Sequence, residues 1–138
     1  MIVVDTSAIV AMAFGEPERA KYVRLIEECD RALLSSVSAV EAHMVVHGRR
    51  MPGALTILDG ILGMPVFEVI APGTTEVDIA NKAFVRYGKG SGHPAQLNFG
   101  DLFSYALAKS RGLPLLFKGN DFSNTDIQSA ASMSRDPE

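Results

Sequence analysis

Tryptophan is absent, tyrosine occurs three times and cysteine once in the 138 residues. With so little aromatic surface to stack on unpaired bases, extensive contact with single strands is not expected. The lone Cys29 cannot close an intramolecular disulfide, and its helical surroundings suggest a buried or half-buried thiol in a reducing compartment. A basic excess is also missing: 13 Lys and Arg stand against 16 Asp and Glu, for a net charge of −3. That argues against a sequence-reading DNA binder. It leaves open an enzyme that holds phosphate through a local basic patch and a divalent metal. No apolar run approaches the ~18 residues of a membrane span, and the chain enters Ile2-Val3-Val4-Asp5 with no basic leader or small-residue cleavage site, so the expectation is a cytoplasmic protein with no membrane contact.

What the chain does have is apolar content of 47%, ample for one core, and a repeating strand–helix rhythm. Ile2 to Val4 is a wholly apolar, β-branched run of the kind buried on both faces of a parallel sheet. Thr6 or Ser7 is suited to cap a helix that Gly15 stops, and a second helix is expected from near Pro17 to about Asp30. Ala32 to Leu34 reads as the second strand, followed by a serine-rich turn over Ser35 to Ser38 and a helix to about Arg49. Pro52 to Leu62 reads as a weaker helix, Val66 to Ile70 as the third strand, and Thr74 to Tyr87 as a helix with Val77, Ala80, Phe84 and Tyr87 at helical spacing.

Glycine and polar residues between Gly88 and Gly100 mark the longest loop. Asp101 opens a helix to Ser110, ended by Gly112 and Pro114, and Leu115 to Phe117 is the fourth strand. A short strand at Asp126-Ile127 would be a fifth. The expected fold class is α/β, with a mostly parallel central sheet of four to five strands and helices on both faces, forming one domain over 1–128 and a frayed tail over 129–138.

Functional sites in such sheets lie beyond the carboxyl ends of the strands. Asp5 follows the first strand and Asp121 the fourth, while Asp101 and Glu41 fall near helix starts, so all four can face one edge. Hard oxygen donors of this kind suit Mg²⁺, which takes one or two carboxylates, keeps waters and bridges to a substrate phosphate. Two carboxylates about 5 Å apart at an effective dielectric near 20 repel by roughly 3 kcal/mol, so the group asks for a cation. Each member also has a purely structural reading. Ser38-Ala39-Val40-Glu41 fits a capping box, Asp101 suits a helix dipole, Asp5 suits a cap, and Asp121 suits a turn.

Ile2-Val3-Val4-Asp5-Thr6-Ser7-Ala8, Ser36-Val37-Ser38-Ala39-Val40-Glu41, Leu97-Asn98-Phe99-Gly100-Asp101-Leu102-Phe103-Ser104-Tyr105-Ala106-Leu107-Ala108 and Gly112 to Phe122 together resemble the PIN-domain family. The resemblance covers nearly the whole chain and is specifically to the VapC-type toxins of bacterial toxin–antitoxin pairs. It implies a PIN-like fold and a metal-dependent endoribonuclease that hydrolyses RNA phosphodiester bonds. It implies catalytic roles for Asp5, Glu41, Asp101 and Asp121, with Asp5, Asp101 and Asp121 as ligands of Mg²⁺, for which Mn²⁺ substitutes. By the same resemblance Thr6 and Ser7 support the site, Asn120 shares the fourth position with Asp121, and a homodimer and a cognate VapB-type antitoxin are expected.

Arg86, Lys89 and His93 are the candidate RNA contacts, with Arg49 and Arg50 nearby in type. His43 and His47 have zinc spacing, but Met44 stands where a zinc protease carries glutamate. Gly88-Lys89-Gly90-Ser91-Gly92 lacks the spacing of a phosphate loop. Rival readings are a PIN nuclease of RNA processing, a catalytically inactive binding module, and a receiver-like signalling domain. The last would need an aspartate after the third strand, where Ala71-Pro72-Gly73 stands instead.

Overall fold

A computed structural model of the chain describes residues 1–133. Its elements run β1 (Ile2–Val4), α1 (Thr6–Ala13), α2 (Arg19–Glu27), β2 (Ala32–Ser35), α3 (Ser36–Arg49), α4 (Ala54–Leu62), β3 (Phe67–Ile70), α5 (Thr74–Tyr87), α6 (Phe99–Arg111) and β4 (Leu115–Leu116), with a 3₁₀ turn at Ala131–Met133. The four strands form one parallel sheet in the order β3-β2-β1-β4. A receiver of the flavodoxin-like kind would order its strands 2-1-3-4-5, so that rival is set aside.

Alternation along the strands divides the core in two. Ile2, Val4, Leu34 and Leu116 point to the face covered by α1 to α4, among them the buried Ile9, Met12, Ile26, Val46 and Leu58. Val3, Leu33 and Leu115 point to the opposite face, covered by α5 and α6 with Tyr87, Tyr105, Leu107, Phe117 and Phe122. The near-continuous apolar runs of β1 and β2 follow from this double cover.

Several local expectations are corrected. Asp5, rather than Thr6 or Ser7, caps α1, its side chain accepting from the Ser7 N–H at 3.0 Å. The serine-rich segment is no turn: Ser35 caps α3 and Ser36 to Ser38 form its first turn. Glu41 therefore lies a turn further in, and the capping-box reading of Ser38 and Glu41 falls away. Helix α6 begins at Phe99, two residues before Asp101. No strand forms at Asp126-Ile127. The chain instead makes a single parallel bridge between Leu115 and Ser129, with the Ala130 N–H donating to the Leu115 carbonyl at 2.9 Å. This strap covers the β4 edge. Of the frayed tail expected over 129–138, Ala130 is buried and 134–138 lie outside the described residues.

Candidate active site

The parallel sheet gathers the ends of β1, β2 and β4 at one edge, and the functional candidates sit there. The Asp5 N–H donates to the Leu116 carbonyl at 2.9 Å, so strand pairing carries Asp5 to the rim before α1 turns away. Its side chain is only 2% exposed. Every partner of that carboxylate is a donor: the Ser7 N–H at 3.0 Å and the Ser7 hydroxyl at 2.7 Å reach Oδ2, and the Ser104 hydroxyl reaches Oδ1 at 2.5 Å. Ser104 in turn lies 3.1 Å from the Ser38 hydroxyl, so α3, α6 and the end of β1 meet through side-chain hydroxyls.

Asp101 sits in the first turn of α6, 7% exposed. Its Oδ2 accepts from the Asn98 N–H at 3.0 Å while Asn98 Oδ1 accepts from the Asp101 N–H at 2.9 Å, a complete capping box. The structural reading of Asp101 is therefore realised, yet its environment exceeds what a cap requires. Burial, followed by the charges of Asp5, Asp121 and Glu41, pushes its carboxyl up to about 7, against the lowering effect of the Asn98 hydrogen bond. Asp121 is exposed on the loop after β4, and Glu41 is half-buried on α3. The Glu41 carboxylate lies directly over Gly100, where any β-carbon would overlap it, so this glycine admits the close approach of α3 to α6. The structure thus brings Asp5, Glu41, Asp101 and Asp121 into one electrostatic group.

The loop carrying Asp121 is tied down from the side of α1 and α2. The Tyr22 hydroxyl donates to the Phe117 carbonyl at 3.3 Å, and the Lys118 N–H donates to the Ser7 hydroxyl at 3.0 Å. The Lys118 ammonium pairs with Glu16 and, at 3.0 Å, with Glu18, and these hydrogen bonds raise its pKa. Of the supporting residues, Ser7 contacts Asp5 directly, whereas the Thr6 hydroxyl donates to the Ser38 carbonyl at 3.4 Å. Asn120 is exposed.

Of the basic candidates, Arg86 and His93 both pack on Tyr87, while Lys89 lines a different cleft from Arg86. Arg86 stacks on the Tyr87 ring at 4.7 Å and lines a cleft with Lys82, Tyr105, Lys109 and Asp126. Lys89 lines a separate groove of about 450 Å³ with Phe84, Asn98, Phe99 and Phe103, beside the Asp101 cap. His93 packs edge-on against Tyr87 and accepts the Ala95 N–H through Nδ1 at 3.1 Å. His43 and His47 are exposed on α3.

Sequence reasoning did not single out Ser104, Ser38 or Lys118. A signal existed for Ser104, which is three residues from Asp101 on the same face of α6 and is a fully buried hydroxyl in an otherwise apolar stripe.

The sequence profile of the PIN domain matches residues 2–128. The chain belongs to the PIN-domain family. Within it the chain groups with VapC proteins. It is 41% identical over 129 residues to Ribonuclease VapC28 of Mycobacterium tuberculosis, covering 94% of this chain and 97% of the relative. It is 39% identical over 131 residues to Ribonuclease VapC42 of the same organism, covering 95% of this chain and 100% of that one. Solved structures share the fold at lower identity. Mycobacterium tuberculosis VapC20, described as a sarcin-ricin loop cleaving toxin, superposes with a TM-score of 0.74 at 21% identity, covering 92% of this chain and 96% of the other. The Rickettsia felis VapBC2 complex bound to a promoter DNA fragment gives 0.72 at 16% identity, covering 94% and 97%. Among the described residues of this PIN domain, no helix is long and apolar enough to cross a membrane.

Proposed function

We propose that this PIN domain is an endoribonuclease toxin that hydrolyses RNA phosphodiester bonds at the acidic edge, with Mg²⁺ as the resident ion and a VapB-type antitoxin as its inhibitor. The observation that carries the reading is Asp101, a buried carboxylate raised to about 7 with three further carboxylates acting on it. Such a group is at odds with itself at neutral pH unless a cation joins it. The extended similarity to VapC ribonucleases supports RNA as the substrate.

Among the described residues no three His, Cys, Asp or Glu side chains stand close enough to enclose a metal ion. The donor set nonetheless fits Mg²⁺ by chemistry, since that ion takes one or two carboxylates and completes its shell with water. Asp5, Asp101 and Asp121 would hold it. Bound there, Mg²⁺ supplies charge neutralisation for the phosphate and a lowered pKa for a water. Glu41, half-buried against Gly100, would orient the attacking water or reach the ion through water, and Asp121, exposed at the rim, would meet the approaching substrate first. Asp5 is held rigidly by its three donors, so its carboxylate needs little reorganisation during the reaction. Asn120 shares the rim with Asp121, and a homodimer is the expected assembly.

The test is cleavage of a defined RNA by purified protein. Cutting is expected with Mg²⁺ or Mn²⁺ and lost in excess EDTA, and Asp5→Asn is expected to abolish it. Undiminished cutting in EDTA overturns the metal reading, and full activity of Asp5→Asn overturns the site.

A further inference from the structure

The Asp5 carboxyl group is 2% exposed and draws on two hydroxyl chains whose donor directions follow from their hydrogen bonds. A serine hydroxyl has one proton to give. Ser104 gives its proton to Asp5 Oδ1 at 2.5 Å, so in the 3.1 Å contact between Ser104 and Ser38 the donor must be Ser38. Ser7 likewise gives its proton to Asp5 Oδ2 at 2.7 Å and accepts the Lys118 N–H at 3.0 Å. Two relays therefore converge on one carboxylate: Ser38 to Ser104 to Oδ1, and Lys118 N–H to Ser7 to Oδ2. In a low-dielectric setting each donor polarises the next and strengthens it.

The two oxygens are not equivalent. A carboxylate has about four acceptor sites, two on each oxygen. Oδ2 accepts from both the Ser7 N–H and the Ser7 hydroxyl, whereas Oδ1 accepts from Ser104 alone. One site is left, on Oδ1, and the Ser104 hydroxyl beside it decides where that site points. Both serines are fully buried and come from α3 and α6, the helices that also carry Glu41 and Asp101.

We infer that Ser104, backed by Ser38, is a positioning residue that sets Asp5 to bind the ion through Oδ1 only. The inference rests on the reading of Asp5 as a metal-binding carboxylate. Outer partners of metal ligands typically change metal affinity by about 10–100-fold when removed. Ser104→Ala falls in that range, and Ser38→Ala, one bond further out, has a smaller effect in the same direction.

Mn²⁺ binding by isothermal titration of the wild type, Ser104→Ala, Ser38→Ala and Asp5→Asn tests this without reference to activity. The expected result is weaker Mn²⁺ binding in Ser104→Ala, alongside a melting temperature lowered by a few degrees because Asp5 Oδ1 loses its one protein donor. In RNA cleavage its kcat falls at low Mg²⁺ and recovers as Mg²⁺ is raised, with KM for RNA unchanged. A lowered melting temperature with wild-type Mn²⁺ affinity overturns the inference, because the hydroxyl would then be a packing element alone. If Ser104→Ala fails to fold, Ser38→Ala decides, and unchanged affinity there overturns the relay. Loss of binding in Asp5→Asn with full binding in Ser104→Ala overturns this inference alone. Wild-type binding in Asp5→Asn overturns the parent reading and this inference with it.

Discussion

Asp5 and Asp101 are both buried aspartates at the same edge of the sheet, and they live in opposite surroundings. Asp5 is enclosed by hydrogen-bond donors from Ser7 and Ser104. Asp101 has one backbone donor, from Asn98, and faces the charges of Asp5, Asp121 and Glu41, which together with burial bring its carboxyl to about 7. The contrast shows two ways to keep a carboxylate out of water: satisfy it locally, or leave it in tension that a bound cation releases. The donor-satisfied group is fixed in place with one acceptor site free on Oδ1, and the tense group is where an ion gains most by binding.

The largest expected effect comes from removing either charge. Asp5→Asn and Asp101→Asn should each lower RNA cleavage by orders of magnitude, measured as kcat/KM at saturating Mg²⁺. Only Asp101→Asn should also stabilise the metal-free fold, because it removes the repelled charge while Asp5→Asn disturbs a satisfied one. Equal changes in melting temperature for the two variants would dissolve the distinction.

Next in size is Gly100→Ala, which forces the Glu41 carboxylate off α6. Because the obstruction is the mobile end of a half-buried side chain, a loss of only about 0.5 kcal/mol in urea unfolding is expected, with reduced cleavage as the main effect. Adding Glu41→Ala should restore the stability and leave the activity low. Failure of the second change to restore stability would mean that the overlap is with something other than Glu41.

A third effect is the pH dependence of the metal-free protein. The Asp101 pKa is about 7 in the fold against an ordinary value of 3.8, so the folded state binds the proton more tightly than the unfolded one. The cost of burying the charge, and with it the repulsion from Asp5, Asp121 and Glu41, is absent while the group is protonated and grows as pH rises between those values, so stability from this group falls from about pH 4 to 7. The melting temperature without metal should drop across that window, and Mg²⁺ or Asp101→Asn should flatten the slope. A flat profile in the metal-free wild type would remove the tension from Asp101.

The smallest effect lies away from the edge. Asp126 accepts from Tyr105 at 2.6 Å and pairs with Lys109 at 2.6 Å, and although burial works to raise its pKa these partners bring it below the usual value. Its contribution has the opposite sign to that of Asp101, present at neutral pH and lost as pH falls through the lowered value. Tyr105→Phe should cost about 1 kcal/mol at neutral pH with RNA cleavage intact. A loss of cleavage in this variant would tie that cluster to the site.

The parts of the molecule legible in the sequence were those governed by periodicity. The apolar runs at Ile2–Val4, which is β-branched, and Ala32–Leu34, together with the helical spacing over Thr74–Tyr87, gave elements within a residue or so of the observed ones. Capping was harder to read, because Ser35 to Ser38 carries residues that favour both turns and helix starts, and only the packed structure shows Ser35 as the cap. The acidic quartet was legible because strand ends and helix starts share one edge in a parallel sheet. The hydroxyl chain was not, since Ser104 and Asp5 are 99 residues apart and nothing local marks one serine as the partner of a distant aspartate. Arg86 and His93 meet on the Tyr87 ring while Lys89 lines a separate groove, a division that only the fold at the end of α5 reveals.

That same separation bears on how the polypeptide is made. Residues 5, 41, 101 and 121 must all have left the ribosome before their side chains can meet, and β1 cannot complete its pairing until β4 has been synthesised. A translating ribosome therefore carries an inert precursor until this whole stretch has emerged, and whatever chemistry the molecule performs begins only after closure of the sheet.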